Sequence, residues 1–395
     1  MNWQDWMDTG LRWRSQNQAP APRRVMLVDD SVSADQAFRW ACEGTAMLWT
    51  GDFQNARQLL QAMARRLDRP ARAKRNLLTP EPGLLFHRHR QEQARRARVL
   101  SQLLIPLNAD YSVPLRRAPD ARQACTQAWG EPDGALSRVS LREWQGLIGA
   151  YEWRKNGVRV PALHALREQQ ARRALDDNDI HPHYGVFSPV RGEYVDLVAQ
   201  APLPAKSLAF DIGVGTGVLS AVLALRGVQQ VIGTDQDVRA LDCARDNLQR
   251  LGLAEQVQVC QADLFPPGQA ALVVCNPPWL PARAVAAIEH AVYDEDSRML
   301  RGFLHGLPAH LTPAGEGWLV LSDFAEHLGL RTRAQLLDWI KDAGLVVLQR
   351  HDIRPRHAKA TQGDDALAMA RAAEVTSLWR LGLAFKAALP SPTCP

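Results

Sequence analysis

From Ser207 to Leu383, short, mostly apolar runs alternate with stretches of helical spacing: SLAFDIG, VIGTD, VQVCQAD, ALVVCNPPW, GWLVLSD, LVVLQRHDI and VTSLWRLGL. Strands of this kind are covered on both faces, and helices lying between them in sequence supply the cover. The pattern predicts an α/β class, with a Rossmann-like doubly wound sheet over residues 179–395. Upstream, apolar positions recur at helical spacing in DFQNARQLLQAMARRL, QEQARRARVLSQLL and LREWQGLIGAYEWRK, so residues 1–178 are predicted to form a mostly α-helical N-terminal domain. Acids, prolines and a glycine interrupt that periodicity in Asp176–Tyr194 and mark the boundary. At 395 residues, with 46% hydrophobic and 23% charged residues, the chain accommodates two folded domains and excludes disordered or fibrous classes.

The first strand runs into Asp211-Ile212-Gly213-Val214-Gly215-Thr216-Gly217-Val218, a glycine-rich turn ahead of a helix. Glycines there let backbone approach a ligand where side chains would clash. The dinucleotide fingerprint GxGxxG requires glycine at 218, where this chain has Val218, so an NAD-dependent oxidoreductase is disfavoured. A carboxylate just before the turn also suits an ammonium-bearing ligand better than a pyrophosphate. The second strand ends in Asp235 and the third in Asp263, followed by Leu264. Asp235 stands where ribose hydroxyls are bound and Asp263 where an adenine edge is reached. Any one of these aspartates alone reads as a loop or helix cap; their joint register with the turn is the functional signal.

Other features admit plainer readings. The N-terminus has no short apolar core before a small-residue cleavage site and no uncharged apolar run reaches membrane-spanning length, so a cytoplasmic protein without membrane contact is expected. Six scattered cysteines lack a CxxC pair, and His181 and His183 have no third ligand nearby, so no metal is expected. Arg23–Asp30, RRVMLVDD, is similar to the first strand and acidic pair of response-regulator receivers, but no βα alternation is legible after it. Tryptophans 3, 6, 13, 40, 49, 129, 144 and 153 fall in the helical half, as core residues or as stacking platforms. Arginines 57, 65, 66, 69, 72, 75, 88, 90, 95, 96 and 98 form a basic stretch, read either as a phosphate-binding surface or as a solvated helix face.

Taken together, DIGVGTG, Asp235, ADLF and NPPW, with CARDNLQRLGL supplying Asn247 and Gly252, stand in the order and spacing of class I S-adenosylmethionine-dependent methyltransferases, which residues 180–385 resemble. The resemblance implies S-adenosyl-L-methionine as cofactor, held by Asp211, Gly213, Gly215, Thr216, Gly217, Asp235, Asp263, Leu264 and Asn276. In such enzymes [N/D]-P-P-[F/Y/W] marks transfer to a planar nitrogen, a glutamine amide or an exocyclic base amine. It assigns Asn276, Pro277, Pro278 and Trp279 to catalysis. The Asn276 oxygen and the Pro277 carbonyl would accept the amino hydrogens, the prolines fixing φ and removing donors, and Trp279 would offer a stacking wall. As a plain turn, NPP would merely lead the chain out of the sheet.

Two subfamilies compete for the substrate. GVFSPVRGEYVDLVAQ is similar in position to the upstream segment of HemK-like glutamine methyltransferases, through Arg191, Glu193 and Val195, and also to the segment before the turn in ribosomal-RNA guanine methyltransferases. Trp279 matches neither family's usual aromatic. The expected partners are therefore RNA or a translation-factor or ribosomal protein, with residues 1–178 as a recognition module. A non-catalytic S-adenosylmethionine- or nucleic-acid-binding protein is the alternative from another class.

Overall fold

In the computed structural model, residues 11–68, 81–169, 177–190, 192–284, 289, 291–355 and 367–384 are described. Trp3, Trp6, Arg69, Arg72, Arg75 and Arg191, singled out above, lie outside them. The chain divides into two compact units, the first ending at Asn156 and the second beginning at Gly157. That division comes earlier than residue 178. The reason is packing: Val160 and Leu163, at and near the start of the helix Pro161–Gln169, are fully buried in the core of the second unit.

The N-terminal unit contains β1 (Arg12–Trp13), β2 (Arg24–Val28), α1 (Ala34–Cys42), β3 (Thr45–Trp49), α2 (Phe53–Leu67), α3 (Pro82–Leu100), β4 (Leu103–Leu107), α4 (Arg122–Trp129), β5 (Ser137–Ser140) and α5 (Leu141–Asn156). The expected helices are present and cover more residues than the strands, but with them stands a five-stranded sheet, ordered β1-β5-β4-β3-β2, that was not expected. Strands β2, β3 and β4 are parallel, so βα alternation does follow RRVMLVDD. It does not make a receiver, because β2 lies at the sheet edge beside β3, whereas the receiver order 2-1-3-4-5 puts the first strand inside. Trp49 and Trp144 are core residues, while Trp153 is exposed.

The C-terminal unit continues with α6 (Pro161–Gln169), α7 (Glu193–Gln200), β6 (Leu208–Ile212), α8 (Val218–Leu225), β7 (Gln230–Asp235), α9 (Val238–Arg250), β8 (Val257–Gln261) and β9 (Ala270–Cys275). After these come α10 (Arg298–His310), β10 (Leu311–Ser322), α11 (Phe324–His327), α12 (Arg333–Asp342), β11 (Leu345–Ile353), α13 (Ala368–Ala373) and β12 (Thr376–Leu383). The seven strands are ordered β11-β12-β10-β9-β6-β7-β8, parallel from β10 to β8 and antiparallel at β12 and β11. This is the doubly wound, Rossmann-like sheet the alternation predicts. One face packs against α8, buried on every residue, and the other against α10 through Leu300, Phe303, Leu304 and Leu307. From β6 the chain winds outward to β7 and β8, then returns to the other side of β6 as β9. The switch point lies between β6 and β9, and open α/β sheets bind ligands at the carboxyl edge there.

Candidate active site

Ile212, the last residue of β6, pairs with Thr234 of β7 on one side and Cys275 of β9 on the other. One residue further along, Gly213, Asp235 and Asn276 therefore come abreast at the carboxyl edge, on strands spaced about 4.8 Å apart. The switch point thus unites the glycine turn, the second acidic strand end and the NPPW corner.

All three glycines of the turn have left-handed φ: 77°, 52° and 80° at Gly213, Gly215 and Gly217. Gly213 and Val214 both donate their N–H to the Thr234 carbonyl, at 2.9 and 2.7 Å, and Gly217 donates to Val214 at 2.8 Å. A Cβ on Gly217 would stand 3.3 Å from the Ala244 Cα, so that glycine lets α9 pack closely. A Cβ on Gly215 would meet nothing nearer than the Gly213 oxygen at 3.9 Å. The middle of the turn is therefore open backbone, a surface that fits a ligand lying across it.

Beneath this turn Asp211 is 1% exposed, and its Oδ2 accepts the Ser220 hydroxyl at 2.7 Å. Burial pushes its carboxyl up to about 7, opposed by the Ser220 bonds. Asp211 supports the turn from below, and a cation above would meet its field through the backbone. Asp235 accepts the Gly215 N–H at 3.1 Å and the Asp237 N–H at 3.0 Å, while burial raises its pKa. Each of its oxygens still has a lone pair for a hydroxyl donor. Asp263 is exposed, accepts the Gln236 amide and lies 3.6 Å from Arg298. Leu264 has φ 73° and its carbonyl accepts the Thr234 hydroxyl, which turns the β8–β9 connection back across the edge. Thr216 is buried and its carbonyl accepts from Asn247 Nδ2 at 3.0 Å.

At the fourth strand end, the Trp279 indole N–H donates to Asn276 Oδ1 at 2.9 Å. That bond fixes which atom of the amide is the oxygen and leaves it one further lone pair. Pro277 is buried, whereas Pro278 and Trp279 are half-buried, the tryptophan packed against both apolar cores. The wall expected from Trp279 is thus braced from behind.

Several residues named in the sequence, though with no supporting role assigned to them there, brace the site. The Asn247 amide, fully buried, accepts the His181 N–H at 2.9 Å as well as donating to Thr216, clamping the Asp177–Gly185 segment to the turn. His181 lies 2.8 Å from Asp177, His183 2.8 Å from Asp246 and His164 2.7 Å from Asp179, so each histidine faces a carboxylate. Among the described residues no group of three or more His, Cys, Asp or Glu side chains is placed to hold a metal ion, and no helix is long and apolar enough to cross a membrane. Asp294, buried beyond the NPPW corner, carried no sequence signal, because its partners are backbone groups brought to it by the fold.

The family profile of the methyltransferase small domain matches residues 177–332. The ribosomal protein L11 methyltransferase of Pseudomonas fluorescens is 31% identical over 187 residues, covering 47% of this chain and 60% of that protein. The release factor glutamine methyltransferase of Mycobacterium tuberculosis is 30% identical over 189 residues, covering 44% of this chain and 54% of that protein. The chain thus spans less than two thirds of either relative. A solved ribosomal protein L11 methylase from Lactobacillus delbrueckii subsp. bulgaricus aligns over 55% of this chain and 93% of its own, at 13% identity and a TM-score of 0.36, too low to add to the argument.

Proposed function

We infer, on the premise that residues 177–332 belong to the methyltransferase small domain family, that the C-terminal unit is an S-adenosylmethionine-dependent methyltransferase acting on a planar nitrogen. The observation that carries this reading is the register that sets Gly213, Asp235 and Asn276 side by side at the switch point, with open backbone at Gly215. The donor, when bound, supplies an electrophilic methyl group on a sulfonium, whose transfer leaves a neutral thioether. Asp235 would hold ribose hydroxyls, the Gly213–Gly217 backbone would receive the amino-acid arm, and Leu264 and Asp263 would border the adenine.

The protein's own part in the chemistry is orientation. An amide or base amine is a poor nucleophile because its lone pair is delocalised. The remaining lone pair of Asn276 Oδ1 and the Pro277 carbonyl accept the two amino hydrogens, which favours a pyramidal nitrogen and aims its lone pair at the methyl group. A nitrogen held in this way would take the methyl group from the donor's sulfur and would then give up its surplus proton to solvent. No general base is required.

The named activities of the two relatives, together with the NPPW corner, support a macromolecular acceptor in the translation machinery, a protein glutamine or an RNA base. The N-terminal unit serves as its recognition surface in this reading. Arg65, Arg88 and Arg98 are exposed there, whereas Arg66, Arg95 and Arg96 are drawn into pairs with Asp35, Glu92 and Asp68. The free basic surface is therefore smaller than the residue count implies. Incubation of the full chain with methyl-labelled S-adenosylmethionine and a cell lysate, then separation of RNA from protein, tests the reading: label enters one fraction, and label in neither would end it.

A further inference from the structure

We propose that Met299 seats the amino-acid arm of the donor and that Asp294 is the residue that positions it, an inference resting on the donor reading above. A Cβ on Gly213 would stand 2.8 Å from the Met299 methyl, nearer than anything a Cβ would meet at Gly215 or Gly217. Met299 is half-buried and packs on the same core as Leu264 and Trp279, which border the adenine end and the acceptor corner in the proposed site. Its methyl group thus covers Gly213, at the start of the turn whose middle, at Gly215, is the open backbone along which the arm of the donor would run. An unbranched thioether suits that place: it is apolar and polarisable, adapts its shape, and brings no charge to oppose a sulfonium.

Met299 is not there by chance of helix phase. Asp294, 8% exposed, accepts the Met299 N–H on Oδ1 at 2.9 Å and the Leu300 N–H on Oδ2 at 3.1 Å, capping the first turn of α10. The Asp294 N–H donates to the Leu280 carbonyl at 2.8 Å, and Leu280 directly follows Trp279. One residue therefore ties the chain leaving the acceptor corner, through its backbone N–H, to the helix that carries Met299, through its carboxylate. Between them Asp296 and Ser297 both adopt left-handed φ, 57° and 54°, and Ser297 is buried. Consecutive left-handed L-residues persist only where their surroundings over-determine them, which marks this corner as built.

The test uses the full chain and calorimetric titration with two ligands that share the nucleoside thioether. S-adenosylhomocysteine carries the amino-acid arm, and 5′-methylthioadenosine lacks it. Met299→Ala should weaken S-adenosylhomocysteine binding about 5- to 30-fold, from the loss of about 1–2 buried methylene equivalents and their packing, and leave 5′-methylthioadenosine within about twofold. Asp294→Asn, whose amide nitrogen cannot accept one of the two N–H bonds, should show the same split at smaller size. Met299→Leu, close in volume, should keep S-adenosylhomocysteine affinity within about threefold, and it carries the test if the alanine variant fails to fold. Equal losses for both ligands, no loss for S-adenosylhomocysteine, or tighter binding once the side chain is cut back would each overturn the assignment. Failure of the wild-type chain to bind either S-adenosylmethionine or S-adenosylhomocysteine would overturn the donor reading itself, and this inference with it.

Discussion

Asp211 offers a perturbation whose sign and size follow from its place beneath the glycine turn. It is fully buried, and that burial pushes its carboxyl up to about 7 against an ordinary 3.8. The folded state therefore holds the Asp211 proton more tightly than the unfolded chain does. A raised folded pKa gives a contribution that is fully present below the unfolded value and is lost as pH rises through the folded one. Relative to the neutral side chain, the penalty of ionising Asp211 in the folded state is negligible at pH 3. It grows to about 2 kcal/mol at pH 5 and levels off at about 4 kcal/mol above pH 7, taking ~1.4 kcal/mol per pH unit. Asp211→Asn removes the ionisable group while its amide oxygen still accepts the Ser220 hydroxyl. The variant should accordingly gain stability over wild type as pH rises from 5 to 8, by up to ~2–3 kcal/mol. Because the chain has two units, the appropriate readout is hydrogen exchange of the β6, β7 and β9 amides in each protein at several pH values. A gap that stays constant across pH 5–8, or that opens in the opposite direction, would refute the assignment of a buried, neutral-favouring Asp211. Above pH 7, where the wild-type carboxyl is ionised, the same variant should bind S-adenosylmethionine more weakly despite its added stability, since the donor's cationic arm then lacks a counter-charge.

Three further expectations follow from single residues. Asn247→Ala leaves the Thr216 carbonyl and the His181 N–H without their partner, so it should destabilise the C-terminal unit by about 2–3 kcal/mol and weaken cofactor binding in calorimetric titration. Trp279→Phe keeps a flat ring but loses the N–H that holds Asn276 Oδ1; kcat on a labelled acceptor fraction should fall about five- to tenfold, with cofactor affinity unchanged. Arg331 is 3% exposed, its Nε has no partner among the described residues and its Nη2 stands 3.5 Å from the Ser322 carbonyl, while burial lowers its pKa. Arg331→Met should therefore raise the melting temperature, by the equivalent of about 1–3 kcal/mol; a lower one would show that the guanidinium is stabilising where it lies.

The C-terminal sheet and its edge were legible because their signals are local. Apolar strands, positive-φ glycines and acidic strand ends recur at short spacing, so β6 to β9 and the positions of Gly213, Asp235 and Asn276 could be read in order. The N-terminal sheet was hidden for the opposite reason. Its strands span two to five residues, β4 carries Pro106 and β5 is the mostly polar SRVS, so the longer helical periodicity of α2, α3 and α5 dominates the pattern. The Asn247 clamp and the Asp294 cap depend on tertiary partners that no spacing announces: Thr216 is 31 residues from Asn247, and Leu280 lies 14 residues before Asp294 across a long connection. The Asp211 burial was also unreadable, since an aspartate that ends a strand beside a glycine turn looks the same whether its carboxylate faces the ligand or the core.

The central claim is that a nitrogen is aimed at the donor by Asn276, and the direct measurement is methyl transfer by Asn276→Ala compared with wild type on whichever lysate fraction takes up label. Cofactor affinity is measured on the same samples. The account predicts that transfer falls at least about a hundredfold, the size expected for removing one oriented polar group at a reacting centre, while the S-adenosylmethionine Kd changes less than about threefold. Transfer at the wild-type rate by the alanine variant would contradict it.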